Sequence, residues 1–282
     1  MGSRVKPGSL IDMKQRGEAI TMLTCYDYPT ALCQEAADVD VIFVGDSVGV
    51  NVLGYESPQQ VTMEDMIHHT NAVHRGVQKA LLVADLPYGS YEMPAQAVEN
   101  AARLLDAGAE VVKLERGREI IESVSGIVAE GIDVIGHVGH TPQTRMSGRA
   151  VVGDRADEAH AVFRDARGLE DAGVIAVVLE CVPERISEII TDSLKIPTIG
   201  IGAGRNCGGQ VLVNLDLLGV TDARFSFVKQ YAELSSVMEN AFSEFVADVK
   251  VGRFPGEEHR FKIKREELRK FKASVLGAGL QQ

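Results

Sequence analysis

Five ionisable residues stand at equivalent places in this chain. Each closes a short apolar run. Val41-Ile42-Phe43-Val44-Gly45 is followed by Asp46 and Ser47. Leu81-Leu82-Val83-Ala84 ends in Asp85, and Val111-Val112-Lys113-Leu114 ends in Glu115. Val134-Ile135-Gly136 ends in His137, and Val177-Val178-Leu179 ends in Glu180. A carboxylate at the end of a buried strand is costly unless it is paired or meets a cation. If Asp46, Asp85 and Glu115 converge, they repel one another unless a cation or protons intervene. Oxygen ligands alone favour a hard ion such as Mg²⁺ over Zn²⁺. The plainer alternative is that each carboxylate caps a helix or pairs with a nearby base. Leu86-Pro87-Tyr88-Gly89 cannot start a helix directly, so capping suits Asp85 poorly. It suits Glu115 better, because Arg116 and Arg118 are close.

Lys113 and Glu115 are two apart, so on a strand they point to one side. Together they could bind an anionic substrate and hold a metal or its waters; a structural ion pair is the alternative. His137 could contact a substrate oxygen or be a neutral, hydrogen-bonded core residue. Glu180 precedes Cys181-Val182-Pro183. Glutamate is a poor helix cap, whereas a partly desolvated carboxylate is a good base for a carbon acid. Gly200-Ile201-Gly202-Ala203-Gly204 permits close backbone approach by a ligand, a weak signal by itself.

The elements that must position these residues alternate. Strands are predicted over 19–24, 41–44, 79–85, 110–115, 132–137, 174–179 and 196–201, with a short eighth at 210–213. Helices are predicted over 27–37, 62–75, 94–107, 118–129, 157–172 and 183–193. A short helix over 6–14 precedes them, and a mostly helical stretch over 227–252 follows. The residues after Gly45 read as too broken for a helix, and 138–154 read as a long loop of functional character. This alternation fits a closed (β/α)8 TIM barrel, whose chemistry sits at the C-terminal edge of its strands. An open doubly wound sheet is the alternative, but no Gly-x-Gly-x-x-Gly turn follows the first strand. We expect residues 1–282 to form a single barrel domain, with a short N-terminal extension and a charged C-terminal tail from about 261 to 282.

A formal charge of -11 argues against nucleic acid as the main partner. No run of about 18 apolar residues predicts a membrane span. The start, Met-Gly-Ser-Arg-Val-Lys-Pro, lacks the apolar core of a signal peptide. Cys25, Cys33, Cys181 and Cys207 form no Cys-x-x-Cys pair, so free thiols in a reducing cytoplasm are expected, each a small buried hydrophobe.

The chain resembles the ketopantoate hydroxymethyltransferase (3-methyl-2-oxobutanoate hydroxymethyltransferase) family over residues 8–261. The carriers are Thr24-Cys25-Tyr26-Asp27-Tyr28, Val44-Gly45-Asp46-Ser47-Val48-Gly49, Ala84-Asp85-Leu86-Pro87-Tyr88 and Val112-Lys113-Leu114-Glu115. Gly136-His137-Val138-Gly139 with Thr141-Pro142-Gln143, Leu179-Glu180-Cys181-Val182-Pro183 and the Gly200–Gly204 stretch follow in the family's order. Phe227-Val228-Lys229-Gln230-Tyr231-Ala232 and Phe254-Pro255-Gly256-Glu257-Glu258-His259 complete the set. The resemblance implies a barrel of the phosphoenolpyruvate mutase/isocitrate lyase type, a homo-oligomer (often a decamer), Mg²⁺, and 5,10-methylenetetrahydrofolate as co-substrate. The implied reaction adds a hydroxymethyl group to C3 of 3-methyl-2-oxobutanoate, giving 2-dehydropantoate on the way to pantothenate. Carried over by motif, Asp46 and Asp85 ligate the metal, with Glu115 direct or through water. Asp46, Ser47, Asp85, Lys113 and His137 would face the 2-oxo acid, and Glu180 would be the base.

Four stretches depart from the family's pattern. Met146 to Gly153 replaces a longer Gly-Gly-aromatic-Lys-Val-Gln-Gly stretch. Gly208-Gly209-Gln210 stands for Asp-Gly-Gln, Ser226 for proline and Arg260 for serine. Ala150 and Val151 remove bulk and charge, so a broader or shifted range of 2-oxo acids is expected. Besides the same chemistry on another 2-oxo acid, a folate-independent C–C lyase or aldolase of the same barrel group is an alternative. It would normally carry a catalytic cysteine loop, which this sequence lacks. A barrel that merely binds a 2-oxo acid would not need to keep a base.

Overall fold

The computed structural model describes residues 4–144, 150–222 and 225–278. Eight parallel strands close a barrel in sequence order: β1 (Ile20–Thr24), β2 (Val41–Val44), β3 (Leu81–Asp85), β4 (Val111–Glu115), β5 (Asp133–Gly139), β6 (Ala176–Glu180), β7 (Thr198–Ile201) and β8 (Gly209–Leu212). β8 pairs back onto β1. Helices Tyr28–Ala36, Met63–His74, Pro94–Asp106, Ile121–Ala129, Ala156–Asp171 and Glu184–Ser193 join successive strands as far as β7. By its contacts the chain divides into two compact units, residues 1–232 with the barrel and residues 233–282. The second unit holds helices Leu234–Lys250 and Arg265–Ala278. The expected charged tail falls within it.

The period of two along each strand separates two cores. Ile42, Val44, Leu82, Ala84, Val112, Leu114, Val177 and Leu179 face outwards and pack with the helices. Met22, Val41, Phe43, Leu81, Val83, Val111, Ile135, Val178 and Ile199 fill the barrel, joined by Leu10 and Met13 of helix Ser9–Arg16. Asp85, Lys113, Glu115, His137 and Glu180 keep the phase of the inward set. They therefore sit directly above an apolar plug, at the C-terminal ends of the strands.

Local chemistry explains most element ends. Thr62 and Asp65 form a complete capping box at the start of Met63–His74. Pro94 begins its helix, and the chain leaves it through Gly108 at φ 108°. A short helix, Val48–Asn51, does form after Gly45, against expectation. Its Val48 and Gly49 are buried, and a Cβ on Gly49 would lie 2.5 Å from Val61, so packing overrides weak propensity. No helix intervenes between β7 and β8. Two strands of four residues are about 13 Å long, a return that the loop over 202–208 spans directly. The glycines here serve the chain itself: at Gly204, φ 79°, a Cβ would lie 2.5 Å from Glu184. The helix expected over 227–252 starts later, at Leu234, and its N-cap Glu233 makes no side-chain cap bond.

Gly139 is the tightest joint beneath the site. Its φ is 96°, and a Cβ there would lie 2.3 Å from the carbonyl oxygen of Glu180. Gly139→Ala should cost at least about 2 kcal/mol through left-handed strain and the clash. That corresponds to a fall in Tm of about 4–8 °C for a domain of this size. An unchanged melting temperature would show that the β5–β6 joint has slack.

Candidate active site

Asp46, Ser47, Asp85, Lys113, Glu115, His137 and Glu180 all line one cavity of about 620 Å³ at the C-terminal ends of the strands. The strand-end reading thus converges on a single place. A volume of this size suits a small-molecule site. Val50, Pro58, Pro142, Ala150, Phe225 and Phe227 add an apolar wall. The residues 145–149 of the altered loop lie outside the described residues; Ala150 lines the cavity.

Asp85 anchors the charged floor. Its Oδ1 accepts from Lys113 Nζ at 2.6 Å, and its Oδ2 accepts from the backbone N–H of Asp46 at 3.0 Å. Both side chains of the ion pair are nearly sealed from solvent. Burial pushes the Asp85 carboxyl up, with Lys113 opposing. Burial works against the charge of Lys113, yet Asp85, Glu115 and Asp46 hold its pKa above the ordinary lysine value. The ammonium also lies 5.1 Å from the centre of the Phe43 ring. Burial first, then repulsion from Asp85 and Glu115, pushes Asp46 up to about 8. Ser47 Oγ shares a 2.8 Å hydrogen bond with Tyr26 Oη.

His137 lies between two carboxylates. Its Nδ1 is 3.2 Å from Glu115 and its Nε2 is 3.3 Å from Glu180. Neither contact is aligned well enough to count as a hydrogen bond. Burial lowers the pKa of this imidazole, but Glu115 and Glu180 outweigh it and raise it to about 9. The two flanking carboxylates thus favour the charged imidazole over the neutral one. Glu180 is the more open of its two partners, with 18% of its side chain exposed against 3% for Glu115. Its main chain is pinned on both sides: Glu180 O accepts from His140 N at 2.8 Å, and Cys181 N donates to Ile201 O at 2.9 Å. Cys181 itself is held at φ 51°, a strained conformation directly after Glu180.

Four carboxylates, Asp46, Asp85, Glu115 and Glu180, share the cavity with one ammonium and one imidazole, an acidic excess that protons or a bound cation would relieve. Among the described residues, no group of three Asp, Glu, His or Cys side chains is arranged to hold a metal ion. The expected convergence of Asp46, Asp85 and Glu115 is thus a shared cavity rather than a ready three-oxygen shell. Mg²⁺ commonly takes one or two carboxylates and keeps several waters. Asp46 and Asp85 fit that pattern. Glu115, like Asp85, already has both oxygens engaged within the protein: its Oε1 accepts from Gln143 N at 2.6 Å and its Oε2 faces His137. Arg116 and Arg118, the bases close to it in sequence, pair instead with Glu92 and Asp165.

Sequence reasoning missed a role for Gln143. It was visible only as the last residue of Thr141-Pro142-Gln143 in a loop without periodicity. Its Nε2 donates to Asp46 Oδ2 at 2.8 Å and to Leu86 O at 3.1 Å. Among the thiols, Cys33 is exposed and Cys207 only partly buried, not the buried hydrophobes expected, whereas Cys25 and Cys181 are buried. Cys181 lines the cavity, but burial, with help from Glu180, pushes its thiol up to about 11. It is protonated at neutral pH and a poor nucleophile, which weighs against a cysteine-dependent lyase.

The model of the ketopantoate hydroxymethyltransferase family matches residues 4–257. The chain is 50% identical over 265 residues to the 3-methyl-2-oxobutanoate hydroxymethyltransferase of Moorella thermoacetica, covering 92% of this chain and 98% of that one. It is 49% identical to the enzyme of that name from Syntrophus aciditrophicus, covering 92% and 97%. Among solved structures, phosphonopyruvate hydrolase in complex with oxalate and Mg²⁺ superposes with a TM-score of 0.61 at 14% identity, covering 96% and 98%. A 2,3-dimethylmalate lyase of the PEP mutase/isocitrate lyase superfamily gives 0.60 at 14% identity, covering 95% and 98%. These last two bear on the fold, which is the expected barrel type.

Proposed function

The chain belongs to the ketopantoate hydroxymethyltransferase family, and from that premise we propose that it transfers a hydroxymethyl group from 5,10-methylenetetrahydrofolate to C3 of 3-methyl-2-oxobutanoate, with Mg²⁺ as cofactor. The observation that carries this reading is the division of the cavity. Asp46, Asp85 and Lys113 gather on one side, while Glu180, the more open carboxylate, stands beside His137 on the other.

Asp46 and Asp85 would hold the cation, with Glu115 reaching it through water. When bound, the cation supplies Lewis acidity at the keto oxygen of the substrate. Lys113 and Ser47 would orient the 2-oxo acid, the first by charge and the second through a hydroxyl fixed by Tyr26. Glu180 would remove the proton from C3. The His137 ring stands 3.3 Å from that carboxylate, on the side away from Glu115. The enolate carbon then attacks a formaldehyde-level unit released from the folate by water, forming the new C–C bond. The proton held by Glu180 returns to the new alkoxide, which completes the hydroxymethyl group. The apolar wall that includes Phe225, Phe227 and Pro58 is suited to a flat ring system such as that of folate.

Purified protein should form 2-dehydropantoate from these two substrates, lose turnover with chelator and regain it with Mg²⁺ rather than Zn²⁺. Small Ala150 on the cavity wall leads us to expect longer 2-oxo acids to be accepted as well, compared by kcat/KM. Full turnover in chelator would overturn the metal reading. A product formed without folate would favour a lyase, and strong preference for 3-methyl-2-oxobutanoate alone would remove the idea of broadened selection.

A further inference from the structure

We infer that Gln143 is a positioning residue that, buttressed by Tyr91, fixes the Asp46 carboxylate for cation binding; this deepens the functional reading above and rests on it.

The orientation of the Gln143 amide is decided by its neighbours. Leu86 O is a carbonyl and can only accept, so the NH₂ end must face it, at 3.1 Å. The same NH₂ then donates to Asp46 Oδ2 at 2.8 Å. The carbonyl end is left to accept from Tyr91 Oη, and it does. Tyr91 is fully buried and cannot turn away. Its own backbone carbonyl accepts from Ser123 Oγ at 2.9 Å, and its ring lies 4.9 Å beneath the Arg116 guanidinium.

The consequence for Asp46 is specific. This carboxylate follows Gly45, beyond the last residue of β2, so the strand alone does not fix its rotation. Gln143 engages Oδ2 and leaves Oδ1 to the cavity. From the same residue, the Gln143 backbone N–H holds Glu115 Oε1 at 2.6 Å. One residue thus orients two of the site's carboxylates from behind, as partners of metal ligands commonly do.

The test is direct Mg²⁺ titration by calorimetry on wild type, Gln143→Met, Tyr91→Phe and Ser123→Ala. Gln143→Met keeps length and volume but removes the donor. Its Kd for Mg²⁺ should rise by about 10- to 100-fold, the usual effect of losing an outer-shell partner. Tyr91→Phe should shift Kd in the same direction by less. Ser123→Ala loosens the same segment without touching the amide, so it should lower Tm and move Kd by less than Tyr91→Phe does. Tight binding to Gln143→Met, or an equal loss in Ser123→Ala, would overturn the inference. No Mg²⁺ binding by wild type would instead overturn the functional reading beneath it.

Discussion

Asp85→Asn is expected to abolish practical turnover while leaving the barrel folded. Asp85 ties Lys113 to the backbone of Asp46, so it fixes both sides of the half of the cavity proposed to hold the cation. Asparagine keeps the shape and can still accept from Asp46 N, but it removes the charge that balances Lys113. Stripping one partner from a buried pair costs about 3–5 kcal/mol. Expressed in the transition state, that is a loss of about 10²- to 10³-fold or more in kcat/KM. Part of the cost will appear as a lower Tm. The double variant Asp85→Asn, Lys113→Met separates the two effects, because removing both charges relieves the stranded ammonium. It should recover stability without recovering activity. Turnover within about tenfold of wild type in the single variant would deny Asp85 a place in the machinery.

Glu180→Gln should have the second large effect. Glutamine occupies the same volume beside His137 but cannot take a proton from carbon. Loss of a general base lowers kcat by about 10²- to 10⁴-fold. Affinity for the 2-oxo acid should stay close to wild type, since Asp46, Ser47, Asp85 and Lys113 are untouched. Rapid-mixing and equilibrium binding measurements separate the two quantities. A variant that kept its kcat would pass the role of base to another group of the cavity.

Much of this site was legible in the sequence because the strand period is two. Once Val111, Lys113 and Glu115 share a strand, Lys113 and Glu115 must share a face, and the inward core of Val83, Val111 and Ile135 continues directly into them. Asp85, His137 and Glu180 follow by the same logic, and closure of the barrel brings the strand ends together. Gln143 was not legible in this way. Its contacts with Asp46 and Leu86 span 97 and 57 positions and depend on the path of an aperiodic loop. The partners of Glu115 were hidden for a related reason. Arg116 is close in sequence, but it leaves the strand at φ 101° and reaches Glu92. The helix Val48–Asn51 was hidden because four residues carry too little local signal, and burial of Val48 and Gly49 decides it.

Enolisation needs only the bound 2-oxo acid, the cation and the base; the folate is needed for the next bond. The most direct test is therefore loss of the C3 proton signal of 3-methyl-2-oxobutanoate in deuterated water, followed by NMR with Mg²⁺ present and folate absent. Wild type should exchange this hydrogen readily, and Glu180→Gln should be slower by about 10²-fold or more. Equal exchange rates in the two proteins, or no exchange by a wild type that turns over with folate, would contradict proton removal by Glu180 as the opening step.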